Sequence, residues 1–152
     1  RRIYGTIHTP GAVKTVYRLL DMGIRPYIIR AAIRAIVGQR LLRRLCPICR
    51  LPYQVQQNSR EGHFLGEAYR LEDIYYHHNP QGCPQCGHTG FIGRIAIHEI
   101  LCFSEELSEE PKDKEVGASL ISSDCLLSTM REDGIAKALA GEIQLEELMN
   151  IF

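Results

Sequence analysis

The 152-residue chain is short of acid where it begins: one carboxylate, Asp21, stands among the first fifty residues against eleven Lys and Arg. No apolar run approaches the length of a helical membrane span, and no low-complexity tract interrupts an ordinary globular composition, so a protein that is soluble or peripheral to a membrane is expected. Aromatics make up only 7% of the residues and do not interleave with the early arginines, so the stacking platforms of a single-strand nucleic-acid binder are missing. No apolar signal-like segment precedes the cysteines, for the chain opens on Arg1-Arg2. The expected setting is therefore a reducing one, where structural disulfides are uncommon.

What is present is sharply divided. Residues 1–50 carry about +10 and residues 51–152, with seven basic and seventeen acidic side chains, about −10, although the sum is zero. A basic half points to an anionic partner; equally, the two halves neutralise each other or a neighbouring subunit.

Two cysteine pairs carry the most chemistry, Cys46-Pro47-Ile48-Cys49 and Cys83-Pro84-Gln85-Cys86. Two intervening residues let both sulfurs of a pair converge on one ion, and the prolines pre-set the backbone of such a turn, with Gly87 able to take a positive φ directly after it. Two pairs make a tetrahedral set, which reads as one structural Zn²⁺ held by Cys46, Cys49, Cys83 and Cys86. Four unpaired thiols, two disulfides or a redox Cys-x-x-Cys are the alternatives; a redox motif leaves the second pair unexplained. His77, His78, His88 and His98 are further ligands in principle, but four cysteines close the site without them. Cys102 and Cys125 lack a partner at ligand spacing and read as small buried side chains.

Hydrophobic patterning predicts a strand over Ile3–His8, a turn at Thr9-Pro10-Gly11 and a helix bearing Val13, Val16, Tyr17 and Leu20, ended by Gly23. A second helix is expected from Pro26 through Leu45, alternating apolar positions with Arg30, Arg34, Arg40 and Arg44, and delivering the first cysteine pair at its end. Residues 51–70 read as irregular, Leu71–Tyr76 as a short helix or strand, Phe91–Ile100 as a strand and Ser104–Ser123 as an acidic surface linker or poorly ordered loop. Helical spacing resumes at Cys125 with Leu126, Leu127 and Met130, breaks at Asp133-Gly134, continues to Gly141, and returns in Gln144–Ile151.

Several of these stretches together resemble the secretion ATPases of the type II secretion and type IV pilus assembly family. They are Ile3-Tyr4-Gly5-Thr6-Ile7-His8-Thr9, Arg18-Leu19-Leu20-Asp21-Met22-Gly23-Ile24 and Gln39-Arg40-Leu41-Leu42-Arg43-Arg44-Leu45-Cys46-Pro47, then both cysteine pairs. Gly90-Phe91-Ile92-Gly93-Arg94, His98-Glu99, Met130-Arg131-Glu132-Asp133-Gly134 to Ala140-Gly141, and Leu145-Glu146-Glu147-Leu148 follow in the family's order. The likeness covers most of the chain outside Ser104–Ser123.

The resemblance implies the C-terminal portion of a hexameric cytoplasmic motor. That portion has an α/β start, the last part of a RecA-like core, then a mainly helical region with a small tetracysteine zinc protrusion. The division it implies is 1–45 for the core's end and a helical hairpin, 46–99 for the zinc subdomain, 100–123 for the linker and 124–152 for the closing helices. It further implies a homo-hexamer with a P-loop-bearing core, a platform protein at the inner membrane as partner, and ATP with Mg²⁺ as ligands of the full-length motor.

The departures are specific. The chain contains no Gly-x-x-x-x-Gly-Lys-Ser/Thr loop to cradle phosphates and lacks the family's strand-borne Mg²⁺ acids, so no ATP hydrolysis is expected of it alone. Of the family's two histidines His8 matches the second, while Arg1 stands where the first would be, and Pro10 replaces an asparagine. His8 is the one candidate for nucleotide-proximal chemistry, and Gln39, Arg40 and Arg43 are candidates for phosphate or subunit contact. Against these stand an ordinary structural histidine and a solvated arginine face. Two other functions compete with the motor: an autonomous zinc-knuckle module binding nucleic acid through its basic first third, and an inactive remnant of the motor.

Overall fold

A computed structural model of the chain describes residues 2–103 and 126–152. They form two compact units, the first within residues 1–39 and 98–130, the second within 40–97 and 131–152. The acidic stretch 104–123 and Cys125 lie outside the described residues.

In the first unit α1 spans Ala12–Asp21 and α2 spans Pro26–Ala32. The sequence expectation holds for α1, and Gly23 takes a φ of 81° just past its end, where the N–H groups of Gly23 and Ile24 close back on the carbonyls of Leu20 and Leu19. Its first turn is tied down by the Ala12 N–H, which donates to Glu99 Oε2 at 2.5 Å, and by the Thr9 and Thr15 hydroxyls, 2.6 Å apart. Ala12 and Val16 on α1, Ile29 on α2 and Leu101 and Phe103 beyond them make the buried core, flanked by Leu19, Leu20, Ile24, Ile33, Ile36 and Leu126.

Two expectations fail in this unit. Ile3–His8 forms no strand, and Ile3 and Tyr4 stand 84% and 91% exposed. β-forming composition makes a strand only where a neighbouring strand accepts its hydrogen bonds, and none among the described residues does so. The second helix stops at Ala32, with Ile33 extended at φ −96°, ψ 128°, and the chain continues as β1, Ala35–Leu45. The apolar spacing at Ile29, Ala32 and Ile33 is helical, but Ile33, Ile36 and Val37 are β-branched and Gly38 is a poor helix former.

β1 lies at the edge of a three-stranded sheet in the order β1-β4-β5, where β4 is Phe91–Cys102, as the alternation foretold, and β5 is Leu126–Ser128. β5 runs antiparallel to β4, pairing Ile100 with Ser128 and Leu101 with Leu126 across a register shift. Leu126 and Leu127 are thus on a strand, not on the helix their spacing predicts, since β4 offers a ladder there.

The second unit holds a small antiparallel pair, β2 (Leu51–Tyr53) and β3 (Tyr75–His77), with Pro52 opposite Tyr76. Between them α3 (Arg60–Leu65) begins at Ser59, whose hydroxyl accepts from the Gly62 N–H at 3.0 Å. The stretch expected to be irregular therefore contains a strand and a capped helix. Helix α4, Met130–Leu139, runs unbroken through Gly134, and α5, Leu145–Met149, closes the chain. A Cβ on Gly134 would meet Leu148 Cδ2 at 2.8 Å, so the glycine taken for a break is a point of close helix contact instead. Leu45, Val55, Leu65, Tyr75, Ile97, Ile135, Ala138, Ile143, Leu145 and Leu148 form the buried interior of this unit.

Candidate metal centre

The first cysteine pair follows β1 directly, so a strand and not a helix delivers it. The Cys46 N–H donates to the Gly90 carbonyl at 2.9 Å, and the Arg50 N–H closes the turn onto the Cys46 carbonyl at 3.1 Å. The second pair is wound into a single 3₁₀ turn, Pro84–Cys86, and Gly87 takes the left-handed φ of 59° expected of it. His88 shares that conformation at 61°, and its N–H bonds the Cys83 carbonyl at 3.0 Å. Thr89 supplies a hydroxyl to the Cys86 carbonyl at 2.7 Å.

These two turns bring the four sulfurs within 4.8 Å of one another, as the single metal-type cluster among the described residues. Cys46 and Cys83 Sγ are 3.7 Å apart, Cys83 and Cys86 Sγ 3.7 Å, and Cys49 and Cys86 Sγ 3.9 Å. A tetrahedron with Zn–S bonds of about 2.3 Å has edges of about 3.8 Å, which these three separations match. All four are free thiols, with Cys46 and Cys86 buried and Cys49 and Cys83 half-buried. No histidine joins them.

The electrostatics divide the thiols. Burial pushes Cys86 up, but N–H donors outweigh it and bring the thiol down to about 6; Cys83 and Gly90 each donate to its sulfur at 3.2 Å. Cys46 is also lowered, burial being offset by the backbone of Ile48 and Cys49. Cys49 is pushed up to about 12 by burial and by the neighbouring sulfurs. Four thiols crowded in this way cannot all ionise unaided, and a divalent cation at their centre would remove that conflict.

The remaining sequence candidates are dispersed. His8 is exposed in the segment before α1, and Gln39 and Arg40 are exposed on β1. Arg43 is engaged within the second unit: its Nε donates to Glu147 Oε1 at 2.5 Å, its backbone N–H to Glu147 Oε2 at 3.0 Å, and its guanidinium lies 4.1 Å over the Phe91 ring. Arg50, which sequence reasoning passed over, binds the Ala140 and Gly141 carbonyls. Its only signal was its place directly after Cys49.

The chain matches the family described as Type II/IV secretion system protein over residues 2–150. It is 35% identical over 151 residues to the Type II secretion system ATPase E of Vibrio cholerae, covering 98% of this chain and 29% of that protein. It is 34% identical to the Type II secretion system protein E of Aeromonas hydrophila, with the same coverage. The Type IV pilus assembly ATPase PilB of Thermus thermophilus is 34% identical over 149 residues, 97% of this chain and 16% of that protein. The chain thus spans less than a third of the length of the curated relatives it matches.

Proposed function

We propose, from the premise that the chain belongs to the Type II/IV secretion system protein family, that it is the zinc-bearing C-terminal portion of a hexameric motor ATPase powering type II secretion or type IV pilus assembly. The observation that carries this reading is the tetrahedral set of Cys46, Cys49, Cys83 and Cys86 inside a family match that runs almost end to end. The ion is structural: four sulfurs leave it no open position for water, and its contribution is folding energy for the unit built around it.

ATP and Mg²⁺ belong to a P-loop-bearing core, since this chain carries no phosphate-cradling loop. The β-forming composition of Ile3–His8 supports a RecA-like origin for this stretch. In the assembled motor His8, Gln39 and Arg40 face nucleotide or a neighbouring subunit, whereas Arg43 already has a carboxylate and an aromatic face to hold it in place. The motor works in the cytoplasm against a platform protein at the inner membrane; among the described residues no helix is long and apolar enough to cross a bilayer.

A chimaera tests this directly. The matching segment of the Vibrio cholerae ATPase is replaced by this chain, and ATP turnover and oligomeric state are compared with those of the chain alone. The expected result is no turnover by the chain alone, and a hexameric, ATP-hydrolysing chimaera. Turnover by the isolated chain, or salt-dependent binding to DNA or RNA without a hexamer, would contradict the proposal.

A further inference from the structure

The corner between α4 and α5 contains no metal ligand, yet residues beside the cysteines grip it repeatedly. The Leu45 N–H donates to the Glu142 carbonyl at 2.8 Å, and Arg44 reaches the Glu142 carboxylate at 3.5 Å. From the other side of the loop, the backbone N–H and the ring Nδ1 of His78 meet Gln144 Oε1 at 3.2 and 3.0 Å. Gln144 is only 4% exposed, so these contacts satisfy a buried amide oxygen.

Arg50 makes the most exacting of the contacts. Its Nη1 donates to the Ala140 carbonyl at 3.1 Å and to that of Gly141, two acceptors that the end of α4 leaves without helical partners. A cation at this end also suits the helix dipole. The guanidinium lies 4.2 Å over the Tyr76 ring, and Gly141 sits at φ 70° beneath both. A Cβ there would come within 2.6 Å of Arg50 Cζ and 2.7 Å of Tyr76 Cδ2, so the arrangement admits only glycine.

Arg50 owes its position to the cysteine turn, because it follows Cys49 and its N–H closes the turn onto Cys46. An ion bound by Cys46 and Cys49 fixes that turn and hence the root of the Arg50 side chain. We propose that Arg50 is a metal-dependent latch: a thiophilic divalent ion on the four cysteines holds the guanidinium on the Ala140 and Gly141 carbonyls, and so sets the order of the α4–α5 corner. The proposal rests on the zinc reading above and goes beyond it, because it gives the ion an effect on residues that do not ligate it.

Amide hydrogen exchange on the full chain, with metal content measured in the same samples, provides the test. The reporters are the Gly141 and Glu142 amides, bonded to the Ala138 and Lys137 carbonyls at 2.9 Å, with α1 as internal reference. Chelation of the wild type is expected to speed these amides about tenfold or more while leaving α1 unchanged. Arg50→Met is expected to keep one metal per chain yet exchange almost as fast as the chelated wild type, with little further rise on chelation. Tyr76→Leu, which removes the platform and spares the carbonyl bonds, should fall between them. Exchange in metal-loaded Arg50→Met within twofold of wild type would overturn the latch, as would an equal chelation-induced rise in both proteins. Wild-type protein that binds no metal would remove the zinc reading and the latch together.

Discussion

Tyr53 and Tyr75 show how single side chains register the packing around the cysteine loops. Burial raises both phenols, Tyr75 to about 12 with help from Asp73, and Tyr53 with help from the Glu61 carboxylate, to which its hydroxyl donates at 2.7 Å. Tyr75 is 1% exposed and its hydroxyl has no partner among the described residues. A phenol whose folded pKa lies above its unfolded value near 10 supports the fold fully below pH 10 and loses that support as pH rises through the folded value. Two of the seven tyrosines are therefore expected to form tyrosinate only as the protein unfolds, above pH 10. Parallel recording of tyrosinate absorbance and far-UV circular dichroism checks this; seven tyrosines titrating together before any loss of structure would refute it. At this scale the sequence was most legible at the cysteines, where ligand chemistry leaves a fixed spacing. It was least legible at Arg50 and Gln144, whose roles depend on carbonyls or imidazoles more than sixty residues away.

Hydrophobic patterning foretold α1 and β4, but not α3, the unbroken run of α4 through Gly134, or the strands β1 and β5. α1 has its turn before it, its glycine after it and an apolar stripe between, all within the fifteen residues from Thr9 to Gly23. β1 exists because β4 pairs with it, and its helix-like spacing carries no trace of that partner. Gly38 is a point where β1 passes close to its surroundings, for a Cβ there would lie 2.8 Å from the Ala12 nitrogen and 3.1 Å from Met130 Cε. Gly38→Val is accordingly expected to destabilise the chain by about 1–3 kcal/mol through overpacking. Val37→Thr, at a neighbouring side chain 58% exposed, should change stability by about 0.5 kcal/mol or less. Urea midpoints of the two variants decide the matter: equal midpoints would mean that β1 does not run where the structure places it.

On the scale of the whole molecule, the early excess of arginine and the later excess of acid are partly spent inside one unit, in pairs such as Arg43 with Glu147 and Arg44 with Glu142. That favours internal neutralisation for those arginines over an anionic partner. Family membership was legible from several short motifs in one order, whereas the architecture of the longer family members was not, since the chain spans less than a third of its curated relatives. The zinc proposed on Cys46, Cys49, Cys83 and Cys86 would organise the second unit as one closed tetrathiolate site. Metal analysis of the purified chain, followed by the absorption spectrum of its Co²⁺-substituted form, tests it most directly. Expected are one zinc per chain, a sulfur-to-cobalt charge-transfer spectrum of tetrahedral type that exogenous ligands leave unchanged, and loss of both in Cys83→Ser. A substoichiometric metal content, or a cobalt spectrum that shifts when azide or imidazole is added, would contradict it.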